Sequence, residues 1–191
     1  TVMTDVIPNT YTYVWNTPVN KIFSKLYEEE QKFWNNERLE KAQKLQLTPQ
    51  QVYTLASIVE EETNKQDDKG KIASVYINRL RKGMKLAADP TVKFALKDFS
   101  LKRIYHKHLE TVSPYNTYLN AGLPPGPICT PSIKTIDAVL DSPETDYLFF
   151  VARADFSGYS DFASDYQQHQ INAKAYQQAL DSLIKSKEKN Q

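Results

Sequence analysis

Three consecutive glutamates, Glu60, Glu61 and Glu62, lie within the stretch Leu55–Asn64, LASIVEEETN. A carboxyl does acid–base work near neutral pH only if its pKa is lifted out of the ordinary carboxylate range. Position on the helix decides which of the three can be lifted. At about 100° per residue, Val52, Leu55, Ala56 and Val59 form one apolar stripe. Glu60 falls at the edge of that stripe and Glu61 on the opposite, solvated side. Glu62 continues the series Val52, Leu55, Val59 and points with the apolar residues. A carboxyl set against apolar surface loses hydration, which disfavours its charged form and raises its pKa. Glu62 is therefore the candidate general acid, against the alternative of an ordinary solvated helix glutamate.

Other residues able to do chemistry are scattered. His106 and His108 form a His-x-His pair, but no HExxH motif or cysteine cluster supplies further metal ligands. Cys129 is the single cysteine, so no disulfide can form within the chain, and no base is paired with it. His169 shares a helical face with Ala173, Tyr176, Leu180 and Leu183 and reads as an inward, satisfied structural histidine. Arg79 falls within the apolar face made by Ile72, Val75 and Tyr76, so it needs a hydrogen-bonding partner or must snorkel to water.

The elements that position these residues are mostly helical. A short extended segment (TYTYVW) precedes Thr17-Pro18, a cap followed by proline, which opens a helix to about Leu45. Glu28-Glu29-Glu30 reads as a solvated surface of that helix, and Asn35-Asn36 as an interruption. Thr48 with Gln51 makes a capping box that starts the helix carrying Glu62. Another helix is expected over Lys71–Lys82, stopped by Gly83, and Asp89-Pro90 reads as the cap of a short one. Thr111–Thr130 is different. Five prolines from Pro114 to Pro131, with Gly122 and Gly126, forbid regular structure through most of this region. Long ordered loops of this kind often carry function, although a proline-stiffened connection has the same composition. A helix follows with Ile133, Ile136 and Leu140, and Tyr147–Ala152 with Tyr159–Phe162 reads as a β-hairpin. Ser164 with Gln167 resembles another capping box, heading a final helix to about Lys185. The expected class is α+β, with several helices around a small antiparallel sheet that includes the hairpin near residues 147–162.

The chain has 191 residues, 24 basic and 23 acidic, for a formal net charge of +1. That balance gives no global electrostatic reason to bind nucleic acid or an anionic membrane. Its 12 tyrosines each combine a flat apolar face with a hydroxyl, which suits packing and carbohydrate contact alike. No uninterrupted apolar run is long enough to span a membrane, and no signal peptide opens the chain. The start, TVMTDVIPNTY, reads as the middle of something longer. Residues 1–16 are expected to be a remnant of an upstream region, 17–187 the domain that carries Glu62 and 188–191 a frayed tail.

The blocks LASIVEEET, IASVYINRLRKGMKLAADPTV, SPYNTYLNAGLPPGPICTPS and DYLFFVA, in that order and spacing, resemble the catalytic domain of the endolytic murein transglycosylase (YceG-like) family. The resemblance covers about residues 8–180. The chain departs from the family pattern at Ala87, at Thr130-Pro131-Ser132 and at Gln168-His169-Gln170. The family's catalytic acid is the second glutamate of an Ile-Val-Glu-x-Glu motif, which falls on Glu62, so helix phase and motif select the same residue. The resemblance implies a fold that is lysozyme-like around the catalytic helix. It also implies a bacterial enzyme that cuts peptidoglycan strands internally, between N-acetylmuramic acid and N-acetylglucosamine, leaving 1,6-anhydro ends. Such an enzyme needs one carboxyl and no metal or organic cofactor. Family membership further implies an N-terminal membrane helix absent from this chain, placement at the periplasmic face of the inner membrane, and peptidoglycan synthases as partners. Tyr115, Asn116 and Thr117 are candidates to position the sugars, with Asp89 and Arg79 as further candidates. On this reading Asn116→Ala loses activity with an unchanged melting temperature. Two competing readings are a hydrolytic muramidase that uses Asp89 to activate water, and a non-catalytic peptidoglycan-binding module.

Overall fold

The computed structural model describes residues 2–101 and 103–189, and among these the class is α+β, as expected. A 3-10 turn, Val2–Asp5, precedes helices α1 (Val19–Phe33) and α2 (Asn36–Leu45). Then come α3 (Pro49–Glu62), α4 (Gln66–Arg81), α5 (Asp89–Leu96), α6 (His106–Leu109) and α7 (Ile133–Leu140). Strands β1 (Phe149–Ala152) and β2 (Ser160–Ala163) form a two-stranded antiparallel hairpin, with Phe150 opposite Phe162, and α8 (Tyr166–Lys189) ends the described chain. The tail expected to fray divides: residues 188 and 189 continue α8, and residues 190 and 191 lie outside the described residues.

The central element is α3. Thr48 accepts from the Gln51 backbone while Gln51 returns a bond to the Thr48 N–H, so the capping box closes as expected. Its middle is more deeply placed than a single apolar stripe predicts, because every residue from Val52 to Val59 is buried. This comes from packing on several sides by α2, α4, α5 and α7. Burial of each large aliphatic side chain here is worth roughly 1.5–3 kcal/mol. Buried Ser57 on α3 is satisfied on both sides: its Oγ donates to the Thr54 carbonyl (2.7 Å) and accepts from the Ile128 N–H (3.0 Å). Ser57 thereby pins the proline-rich loop to the helix. The first residues also reach this core, with Ile7 buried and Tyr53 Oη donating to the Val6 carbonyl (2.7 Å).

Four local expectations change. The helix expected from Lys71 starts earlier, at Gln66, with Asp67 and Asp68 in its first turn. Acidic side chains there complement the helix dipole, and buried Asp68 also accepts from the Ser160 N–H (2.7 Å). Glu30, expected in solvent, is buried at the end of α1, although Asn35 does interrupt the helix by capping α2. Thr17 is not a cap: α1 begins at Val19, with Pro18 at the N-cap position and no side-chain cap bond. At the start of α8 the bond comes from Asp165, whose Oδ1 accepts from the Gln168 N–H (2.8 Å), rather than from Ser164. Helix α8 lies across the hairpin, and β1 touches α4, so the hairpin joins the last helix to the core.

Candidate active site

The three glutamates at the end of α3 have three different environments. Glu60 is held by Lys69 Nζ (3.1 Å), Ser132 Oγ (3.1 Å) and Thr135 Oγ1. Burial opposes its ionisation, but the bonds from Thr135, Lys69 and Ser132 outweigh that and keep its carboxyl below the usual range. Glu60 thus anchors α3 to the start of α7. Glu61 is exposed. Glu62 turns into a cleft of about 390 Å³ and accepts from Tyr76 Oη at 2.5 Å through Oε1. Its other oxygen, Oε2, accepts no hydrogen bond among the described residues and can carry a proton.

Five elements converge on this cleft. Helix α4 supplies Tyr76 and Arg79, the start of α5 supplies Asp89, and the proline-rich loop supplies Tyr118. Strand β1 adds Phe149 and Phe150, and the first turn of α8 adds Tyr166 and His169. The aromatic rings exclude water from one side of Glu62. Loss of hydration is the main reason its pKa is pushed up to about 7. The Tyr76 hydrogen bond works the other way, Asp89 raises the value further, and Lys93 and Arg79 lower it. The balance leaves a carboxyl that is substantially protonated at neutral pH and that becomes a stabilised carboxylate once it gives the proton away. Burial pushes the Tyr76 hydroxyl well above its ordinary value, so Tyr76 remains a donor.

Of the residues singled out from sequence, Glu62, Arg79 and Asp89 meet in the cleft. Arg79 does not snorkel. Its Nε donates to the Leu148 carbonyl (2.7 Å) and its Nη1 to the Leu86 carbonyl (2.5 Å), so it braces the strand and the loop that flank Glu62. Asp89 is not the cap of its helix: Ala88 holds that position, and the Asp89 carboxylate accepts from Tyr118 Oη at 2.6 Å. Tyr115, Asn116 and Thr117 are not among the cleft-lining residues. Asn116 is buried, its Nδ2 donating to the Leu109 and Thr111 carbonyls (both 2.8 Å) and its Oδ1 accepting from the Tyr118 N–H (3.0 Å). Thr117 Oγ1 binds the Ala88 N–H (3.0 Å) and Thr91 Oγ1 (2.8 Å), and Tyr115 packs on Phe94 with ring centroids 4.7 Å apart. These three shape the loop and so deliver Tyr118. Sequence reasoning missed Tyr118, Tyr76, Phe149 and Tyr166, and it read His169 as inward and satisfied, whereas the ring lines the cleft and its Nδ1 has no hydrogen-bond partner among the described residues. For Tyr118 a signal existed, since it ends the same YNTY stretch. For the wall of Phe149, Tyr166 and His169 the signal was partial: helical phase turned His169 inward, but the wall forms only where a strand and a helix about 20 residues apart come together. His106 and His108 sit on α6 and are not among the residues lining the Glu62 cleft, and His108 Nδ1 accepts from the Tyr105 N–H (3.1 Å). Cys129 is a poor nucleophile, its thiol pushed up to about 12 by burial and by nearby Glu61.

The description of the YceG-like family matches residues 2–175 of this sequence. The chain belongs to that family. An endolytic murein transglycosylase of Bacillus subtilis (strain 168) is 48% identical over 101 residues, covering 53% of this chain and 28% of the relative. An endolytic murein transglycosylase of Streptococcus pneumoniae (strain D39) is 34% identical over 130 residues, covering 66% of this chain and 23% of the relative. The crystal structure of a YceG-like protein from Listeria monocytogenes superposes with a TM-score of 0.74 at 33% identity, over 87% of this chain and 54% of that one. The matched stretches of this YceG-like chain span about a quarter of the length of those curated relatives. Among its described residues, no helix is long and apolar enough to cross a membrane.

Proposed function

We propose that this YceG-like chain is the catalytic part of an endolytic peptidoglycan lytic transglycosylase. The observation that carries the reading is Glu62, a carboxyl with a pKa near 7 in an open, aromatic-walled cleft. A lytic transglycosylase needs one group that acts first as acid and then as base, and such a group works best when its pKa lies near the working pH. Protonated Glu62 donates to the bridging glycosidic oxygen as the bond to the anomeric carbon of the muramic sugar breaks. The resulting carboxylate, held by Tyr76, takes the proton from that sugar's own C6 hydroxyl. The C6 oxygen closes on the anomeric carbon, giving a 1,6-anhydro ring without consuming water. Asp89, whose carboxylate faces the same cleft, favours the positive charge that develops on the sugar ring. Further hollows adjoin the cleft on two flanks, one past Asp89 and Tyr118 and one past Glu62 to Lys65, which suits a strand running through rather than ending there.

Peptidoglycan strands are the proposed substrate and the extracytoplasmic face of the membrane the proposed location. Anchoring by a segment outside this chain, and synthases as partners, follow from the same reading. The presence of Asp89 beside Glu62 favours one alternative, hydrolysis with Asp89 activating water. Product masses from purified peptidoglycan separate the two. Native protein should release anhydro-muropeptides and Glu62→Gln none, whereas reducing ends from the native protein would establish hydrolysis instead.

A further inference from the structure

One buried polar side-chain atom among the described residues lacks a hydrogen-bond partner: Nδ1 of His169. The ring is fixed from several sides. It stacks on Phe149 with centroids 5.1 Å apart and planes 21° apart, and it meets Tyr166 at 6.1 Å. Phe149 in turn lies under the Arg79 guanidinium, 5.4 Å from its centroid. An imidazole has one proton to place between two nitrogens when neutral and two when charged. A proton on Nδ1 would be a donor sealed from water with nothing to donate to, a worse arrangement than a bare lone pair at the same place. Charging the ring would also bring a cation into a desolvated spot near Arg79, and both burial and Arg79 hold the His169 pKa below its ordinary value. The other titratable groups on the cleft are Glu62, Tyr76, Asp89, Tyr118 and Tyr166, and none donates to or accepts from the imidazole. The proton therefore resides on Nε2. That nitrogen is not sealed, and His169 is part of the cleft wall.

We propose that His169 is a substrate-binding residue: a neutral imidazole locked with its proton on Nε2, which donates a hydrogen bond to an oxygen of the glycan. Phe149 and Tyr166 present the ring surface on which that sugar rests. The unpartnered Nδ1 locks the tautomer, so the site offers a donor and not an acceptor at this point. His169 is thus no second acid or base, and Glu62 is left as the titrating group of the reaction. The identity of the ligand rests on the transglycosylase reading, but the tautomer does not.

Two measurements test this. The first is nitrogen-15 NMR of the imidazole in the free protein between about pH 6 and 8, where an ordinary histidine titrates. A single Nε2–H tautomer across that range is expected, and an Nδ1–H tautomer or an imidazolium at neutral pH would overturn the proposal. The second uses soluble glycan strands freed of their peptides. His169→Phe keeps the ring stack and removes the donor, and His169→Gln puts an amide N–H near the position of Nε2. Loss of one hydrogen bond should lower kcat/KM about 10-fold in the Phe variant, mainly through KM. The melting temperature and the shape of the pH profile should not change, and Gln should recover most of the loss. A Phe variant with native KM, or recovery by His169→Asn but not by Gln, would overturn the assignment. Strand retention is measured in parallel for Glu62→Gln with and without His169→Phe. If native protein forms no anhydro ends, the catalytic reading fails, and retention together with the tautomer still decides the role of His169.

Discussion

Replacing Glu62 by Gln should stabilise the folded protein at alkaline pH although it removes the central group of the cleft. In the folded chain the carboxyl pKa rises from an ordinary 4.5 to about 7, chiefly through lost hydration. The native form therefore holds its proton more tightly than the unfolded chain does. As pH rises from 4.5, the unfolded chain ionises first and gains solvation that the folded chain lacks. Stability is lost through that window and levels off above about pH 7. The displacement corresponds to a loss of about 3 kcal/mol. In a chain of this size that is roughly 6–12 °C in melting temperature. Gln cannot ionise, its amide oxygen still accepts the Tyr76 hydroxyl, and its amide nitrogen, a donor like the protonated oxygen it replaces, faces the open cleft. Thermal unfolding of both proteins from about pH 4 to about pH 8 checks this. The two curves should lie close together at the acid end and diverge in favour of the Gln variant as pH rises. Parallel curves, or a variant that is less stable at pH 8, would refute the claim that Glu62 is held protonated by its surroundings.

The same ionisation should govern turnover. The value of kcat/KM should fall as pH rises through about 7, and Tyr76→Phe should move that limb to higher pH because it removes a donor that favours the carboxylate. A limb unmoved in a rate–pH series would count against the role of Tyr76. Asn116→Ala should lower the melting temperature, by roughly 1–3 kcal/mol of stability, because it strips hydrogen bonds from two loop carbonyls. This replaces the expectation of lost activity at unchanged stability, and calorimetry decides between them. Glu60→Gln leaves the nearly buried Lys69 ammonium without its counter-charge and should cost roughly 1–3 kcal/mol, a buried-pair penalty reduced for the partial exposure of Glu60. Its pH–rate limb should match that of the native protein, and a displaced limb would show that Glu60 takes part in the chemistry.

Much of this was legible before any coordinates. Thr48 and Gln51 mark the start of α3, the apolar spacing sets its phase, and phase alone turns Glu62 inward. These are local properties, carried by residues within about four turns of a single helix. The hairpin was legible for the same reason, since alternation and turn residues are short-range signals. The loop was harder. Its prolines exclude regular structure but do not reveal which side chains hold it together and which one reaches the cleft. Asn116, Thr117 and Tyr118 are adjacent and chemically plausible for either task. Backbone direction at each position separates them, and that direction is set by contacts with α5 and α6.

Sequence by itself determined that this chain carries a helix-borne carboxyl on an apolar face, an α+β framework and a long proline-rich loop. Tertiary structure alone decided how strongly Glu62 is perturbed. Desolvation depends on what lies across the cleft, and Tyr76, Asp89, Phe149 and His169 come from segments up to about 100 residues away. It likewise decided that Glu60, two residues from Glu62 and chemically identical, is pinned as a charged anchor. The reason is the same in both cases: a pKa depends on every dipole and charge that folding brings within a few ångströms, and only part of that surrounding is close in the chain.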